Sequence, residues 1–226
     1  MKSGYTHVSI LIDRSGSMSR LKSDVIGGFN QLVEDQQKEA GELTLSLVQF
    51  DDMNGLQFEV TNDFSPIKEV KLLDEMNYAP RGGTPLNDAL VRLIELTGNK
   101  LASLSEDQRP EKVMFVVITD GEENSSKEFN TQHVKDKIDH QEQKYGWKFL
   151  YLGANQDSFT EAKTRGFSGA MNFDFNTTGS MAMYTATSNV LKKSRSADIQ
   201  EFCVMDFSAD LGQEYKTAKK DLEEKK

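Results

Sequence analysis

Three oxygen-bearing side chains stand two residues apart in the stretch Asp13-Arg14-Ser15-Gly16-Ser17-Met18-Ser19. Asp13, Ser15 and Ser17 offer hard oxygens, one charged and two neutral, which suit Mg²⁺, Ca²⁺ or Mn²⁺ and not soft metals. Taken alone, D-x-S-x-S reads equally as a turn that caps a helix, because Asp and Ser are ordinary residues in both places. Two later segments add donors of the same kind. Gly82-Gly83-Thr84-Pro85 presents a hydroxyl after two glycines, and Ile118-Thr119-Asp120-Gly121 presents a second carboxylate at the end of an apolar run.

The elements that must carry these residues follow from hydrophobic spacing. Val8 to Ile12 is a nearly continuous apolar run, as in a strand buried on both faces of a parallel sheet. Leu21, Val25, Phe29 and Leu32 recur near 3.6 residues and predict a helix that ends before Gly41. Leu43, Leu45 and Leu47 alternate toward Phe50, and Leu56, Phe58 and Val60 alternate after a turn-rich 51–55, which predicts an antiparallel hairpin. Residues 65–78 read as a helical turn and a short extended piece, broken at Pro80-Arg81-Gly82-Gly83. Thr84-Pro85 then opens a helix with Thr84 as its cap and a stripe of Leu86, Leu90, Leu93, Ile94 and Leu101. Val113 to Ile118 is the most apolar run and the expected central strand. A polar helix from about Lys127 to Tyr145, a strand at Lys148–Leu152, a short helix to about Arg165 and an edge strand at Ala170–Phe175 continue the alternation. Strands alternating with helices imply right-handed βαβ units with helices on both faces of the sheet. From Thr177 a helix places Met181, Tyr184, Thr187 and Leu191 on one side. Residues 201–207 carry no decisive pattern. Asp210 to Lys226 reads as a last helix striped by Leu211, Tyr215, Ala218 and Leu222, with a charged end that should fray.

In this order, DRSGSMS, GGTPL (Gly82 to Leu86) and VVITDGEEN (Val116 to Asn124) resemble a von Willebrand factor A (vWA) domain, of the stand-alone cytoplasmic type of bacteria and phages, over about residues 5 to 195. The resemblance implies an α/β, Rossmann-like fold. Its sheet is doubly wound, mostly parallel and six-stranded, in the order 3-2-1-4-5-6, with the third strand antiparallel at the edge. It divides the chain into a vWA-like domain, 1–195, and a C-terminal helical extension, 196–226. It also implies a metal-ion-dependent adhesion site (MIDAS) at Asp13, Ser15, Ser17, Thr84 and Asp120. By the family pattern Ser15 and Ser17 coordinate directly and Thr84 joins them in the ligand-competent state. Asp13 and Asp120 act mostly through bound water.

In such a sheet ligands bind beyond the carboxyl ends of the strands where the order reverses, here between the first and fourth strands. Two carboxylates brought there without a cation would repel one another. Neutral hydroxyls leave a divalent ion poorly compensated, so an acidic side chain of a partner can complete it. The expected function is therefore a divalent-cation-dependent protein-binding module, using Mg²⁺ (or Mn²⁺ or Ca²⁺) and a partner that presents Asp or Glu. Stand-alone relatives work beside ATPases or in multi-protein assemblies, an association at the level of the fold. Glu122 and Glu123 follow Asp120 and would raise cation affinity or form a solvated rim. Asp51, Asp52, Arg81, Asn155 and Asp157 are expected on the same upper face, as partner contacts or as plain surface.

Two other chemistries fit the same residues less well. An Mg²⁺-dependent hydrolase or phosphotransferase with Asp13 as nucleophile usually carries a second acid two residues on, where this chain has Ser15. His7 lies in the first strand, and His133 and His140 lie seven apart on a polar helix, so no general base or Ser–His pair is readable. A nucleotide-binding crevice would carry G-x-G-x-x-G or G-x-x-x-x-G-K-[ST], and neither is present. The expectation is a binding protein, not an enzyme.

Composition sets the remaining bounds. The 226 residues suffice for one domain with a sizeable core, and a net charge of −9 argues against nucleic acid as a partner. No apolar run reaches the roughly 18 residues of a membrane span. Met1 to Tyr5 runs directly into a strand, which leaves no room for a signal peptide, and the single cysteine, Cys203, forms no internal disulfide. A cytoplasmic location and a buried Cys203 are the resulting expectations.

Overall fold

The computed structural model describes residues 1–154 and 158–224. Asn155 and Asp157, expected on the upper face, lie outside the described residues, as do Lys225 and Lys226. The strands are β1 Lys2–Asp13, β2 Glu42–Asp51, β3 Gln57–Pro66, β4 Pro110–Thr119, β5 Lys148–Gly153 and β6 Gly169–Asn172. The helices are α1 Lys22–Gln37, α2 Leu86–Ser103, α3 Thr131–Tyr145, α4 Ser158–Arg165, α5 Thr177–Ser196, α6 Ile199–Val204 and α7 Phe207–Glu224. They form one six-stranded sheet in the order β3-β2-β1-β4-β5-β6. Every neighbouring pair is parallel except β2–β3. The doubly wound α/β fold and the antiparallel edge strand are as expected from the sequence.

Strand geometry sends alternate side chains to opposite faces, and both faces of the central strands are apolar. Val8, Ile10 and Ile12 of β1, with Met114, Val116 and Ile118 of β4, join a cluster with Phe29 of α1 and Tyr184 of α5. Leu11 of β1, with Phe115 and Val117 of β4, joins a second cluster with Leu90 and Leu93 of α2 and Ile138 of α3. Phe202 of α6 and Phe207 and Leu211 of α7 are buried in the first cluster, so both C-terminal helices pack onto the domain.

Several local expectations are corrected. Thr84 does not cap α2: the N-cap position is Pro85 and no side-chain cap bond forms there. Caps arrive instead from the loop after β4. Glu123 Oε2 accepts from Asn87 N at 2.7 Å and Ser126 Oγ accepts from Asp88 N at 3.1 Å. The α3 helix begins at Thr131, because Asp88 takes the backbone N–H groups of Lys127, Glu128 and Phe129. The final strand stops at Asn172. Met181 is exposed, while α5 is buried on most other sides, at Ala182, Met183, Ala186 and Val190. Cys203 is exposed, because the short α6 turns Phe202 inward instead.

Candidate metal centre

The register of the sheet brings the two acidic segments together. Ile12 pairs with Ile118 between β1 and β4, so Asp13 ends one strand level with Thr119 at the end of the next. Asp13 is fully buried. Its Oδ1 accepts from Ser15 N at 2.6 Å, and its Oδ2 accepts from Thr119 Oγ1 at 2.6 Å. Tyr78 donates its hydroxyl to the Asp13 carbonyl at 2.8 Å. Asp13 therefore holds the turn that presents the serines.

Ser15 takes the N-cap position of a 3₁₀ turn, Gly16–Leu21, but its side chain makes no cap bond. Its hydroxyl lies 3.0 Å from Ser17 Oγ, and Ser17 donates to Asp120 Oδ1 at 2.8 Å. Ser17 has spent its single proton on Asp120, so Ser15 is the donor to Ser17. Thr84 is buried, and its hydroxyl faces Gly121: a Cβ built on Gly121 would lie 3.2 Å from Thr84 Oγ1 and 3.9 Å from both Asp13 Oδ2 and Ser17 Oγ. Glycine at 121 thus leaves open a small space into which oxygens of Asp13, Ser17 and Thr84 converge. All five residues expected at the site meet at one place.

Backbone ties fix three loops around it. Gly16 N donates to Gly82 O at 3.0 Å and Arg81 N to Arg14 O at 2.7 Å. Thr84 N donates to Asn124 Oδ1 at 2.9 Å, and Gly83 N donates to Asp52 Oδ1. Gly82 has φ +64, and a Cβ there would come within 2.7 Å of Met53 N. Only glycine allows that close approach at that φ.

The rim is more structural than its charge suggests. Asp51 is fully buried between Arg14 (Nε to Oδ2, 2.8 Å) and Arg81 (Nε to Oδ2, 3.2 Å), so it is no partner contact. Glu123 is committed to Asn87, Ser125 and Ser126. Glu122 and Arg81 remain partly or fully exposed. Thr119, Asn124 and Tyr78 are structural partners of the site that spacing alone does not single out, and Asp52, expected on the upper face, accepts from Gly83 N and so holds the Thr84 loop. Thr119 and Asn124 do lie inside the VVITDGEEN segment.

Burial dominates the electrostatics. It pushes the Asp13 carboxyl up to about 7, against the hydrogen bonds from Thr119 and Ser15 and with added repulsion from Asp120. It raises Asp120 as well, opposed by the Ser17 hydrogen bond. Two desolvated carboxylates and three hydroxyls around one space have the chemistry that a hard divalent cation satisfies. Among the described residues no group of three or more His, Cys, Asp or Glu side chains is placed to hold a metal.

A family profile described as von Willebrand factor type A domain matches residues 7–183. This chain belongs to the vWA domain family. Several solved structures share its fold at low identity. The von Willebrand factor type A protein from Catenulispora acidiphila is 12% identical with a TM-score of 0.53, and the match covers 84% of this chain and 42% of that one. Proximal thread matrix protein 1 from the mussel byssus is 13% identical with a TM-score of 0.61, over 83% of this chain and 48% of that one. A second structure of the mussel protein, with a zinc-occupied MIDAS motif, is 16% identical with a TM-score of 0.50, over 72% and 39%. Manganese-loaded TRAP protein of Plasmodium vivax is 15% identical with a TM-score of 0.53, over 77% and 70%. This vWA chain thus spans less than half the length of the first two proteins. No curated protein sequence matches it at a significant level.

Proposed function

We propose that this chain is a divalent-cation-dependent protein-binding module. Asp13, Ser15, Ser17, Thr84 and Asp120 would hold Mg²⁺, or Mn²⁺ or Ca²⁺, and a partner protein would add an Asp or Glu carboxylate. The observation that carries this reading is the chain of contacts Ser15–Ser17–Asp120, at 3.0 and 2.8 Å, beside the space that Gly121 leaves open toward Thr84 and Asp13. Manganese in the Plasmodium TRAP protein and zinc in the MIDAS motif of the mussel protein lend support from the same fold.

When bound, the ion supplies a positive, Lewis-acidic point for an anionic side chain. The chain's own residues do the positioning. Asp13 and Thr119 fix the serine turn, Asn124 and Asp52 fix the Thr84 loop, and the Arg14–Asp51–Arg81 cluster ties the two together. The hydroxyl-rich donor set leaves the ion's charge undercompensated, which favours an acidic partner.

A binding role is better supported than catalysis. His7 is buried in hydrogen bonds to Thr44 and Ser9, and His133 is engaged in the capping box of Asn130. Neither is a free general base at the crevice. The proposal includes a cytoplasmic setting, with an ATPase or a multi-protein assembly as the kind of partner. No described helix is long and apolar enough to cross a membrane. The test is affinity capture of partners from cell extract in Mg²⁺ and in EDTA, with wild type and Asp13→Ala. A partner held only by wild type in Mg²⁺ supports the reading. A partner held equally in all four conditions removes it.

A further inference from the structure

At the pole opposite the metal centre a crevice of about 660 Å³ opens between the C-terminal halves of α2 and α3, over the start of β4 and beside α6. That volume lies in the range of about 300–1,000 Å³ typical of small-molecule sites. Its walls are apolar and aromatic. Ile94, Leu101, Val113 and Trp147 are buried in the second hydrophobic cluster, and Tyr145 stands over Trp147 with ring centroids 6.2 Å apart. Gly98 widens the crevice on the α2 side. A Cβ placed there would have only Trp147 Cη2 within 4 Å, at 3.9 Å.

The charges around this crevice do not cancel. Two of its three carboxylates are ion-paired, Glu95 with Lys137 at 2.7 Å and Glu106 with the N-terminal amine at 3.8 Å, while Glu111 accepts from the neutral Gly4 N–H at 3.2 Å and keeps its charge, so the lining carries one cation in excess. Its other two cations have no carboxylate within ion-pair reach among the described residues. Arg109 donates to the carbonyls of Leu104 and Ala102, at 3.0 and 3.3 Å, and Lys144 lies over the Tyr145 ring at 5.1 Å. The Gln141 amide lines the same space with no hydrogen-bond partner for its Oε1, and by turning over it presents NH₂ donors to an anion.

From an aromatic and aliphatic cavity whose lining has one cation in excess, with Arg109 and Lys144 in no ion pair among the described residues, we infer that this crevice binds a small amphipathic carboxylate. The apolar body lies against Trp147 and Leu101, and the carboxylate lies toward Lys144 and Arg109. The site is separate from the metal centre and does not depend on it.

Trp147 is the only tryptophan in the chain, so its fluorescence reports this site alone, and the exposed Cys203 on the crevice wall gives a second readout. The experiment titrates the full chain with decanoate, below its micelle concentration, and follows Trp147 emission and the rate of Cys203 alkylation by iodoacetamide. The expected result is a saturable emission change, slower alkylation at saturation, and decanol weaker than decanoate by about tenfold or more. Gly98→Leu fills the space beside Trp147 and abolishes the change. Lys144→Glu, an exposed substitution that leaves folding intact, weakens binding by about tenfold. The inference is overturned if emission does not saturate, if Lys144→Glu binds as tightly as wild type, or if decanol equals decanoate.

Discussion

His7 sets a pH dependence of stability that can be worked out from its surroundings. It is fully buried on β1, with Nδ1 2.9 Å from Thr44 Oγ1 and Nε2 3.0 Å from Ser9 Oγ, and its ring stacks on Phe64 at 3.6 Å. Burial disfavours the imidazolium and lowers its pKa from 6.5 to about 3. The folded-state value is depressed, so the unfolded chain binds a proton at His7 below pH 6.5 that the folded chain refuses until near pH 3. Stability from this group is fully present above pH 6.5 and is lost as pH falls, by about 1.4 kcal/mol per unit. Between pH 7 and 4.5 the loss is about 2.5 kcal/mol. Asp13, raised by burial, acts in the opposite sense in the metal-free protein, so the proper observable is a difference between two proteins. In His7→Phe the neighbouring hydroxyls keep partners, Thr44 with Tyr5 and Ser9 with Thr97. Urea denaturation of both proteins from pH 7 to 4.5 should show the gap moving by about 2.5 kcal/mol in favour of the variant as pH falls. Parallel curves, with a gap constant to within about 0.5 kcal/mol, would refute a neutral buried His7.

Three further outcomes are expected. Gly121→Ala puts a methyl group into the space between Thr84, Asp13 and Ser17; Mn²⁺ affinity by electron paramagnetic resonance should fall by about tenfold or more, with melting temperature nearly unchanged. Lys112 is buried and donates to the carbonyls of Ser194, Arg195 and Ala197 at the end of α5; Lys112→Met strands those acceptors and should cost about 2–3 kcal/mol in a denaturant titration. Gly28→Ala would be mildly favourable in an open helix position, but here its Cβ runs into the Tyr184 ring; thermal melts should show a loss of about 1–3 kcal/mol, and a gain would contradict the packing described.

Much of this was legible in residue order because it is local. The runs Val8–Ile12 and Val113–Ile118 declared strands buried on both faces, and they are the two central strands. Val25, Phe29 and Leu32 declared the inner side of α1 and are buried, as is Leu21 at the end of the preceding 3₁₀ turn. That the five oxygen-bearing side chains come together was legible from three short motifs and the position of strand ends. What was not legible depends on contacts far apart in the chain. Thr84 has the residue type and place of a helix cap, yet Glu123 and Ser126 do that work from about forty residues away and leave its hydroxyl to the site. Asp51 has the composition of a surface loop, but two arginines from other loops bury it. Cys203 and Met181 are exposed because neighbouring residues of the same helices, Phe202 and Ala182, take the inward positions.

The function proposed for this chain requires the five oxygens to act as one cation site. Isothermal titration calorimetry with Mg²⁺ and Mn²⁺ on the purified chain, against Ser15→Ala/Ser17→Ala, tests this most directly. The predicted result is one ion per wild-type chain and binding weaker by about tenfold or more in the double variant, whose fold is retained. No uptake at millimolar ion, or equal uptake by both proteins, would contradict it.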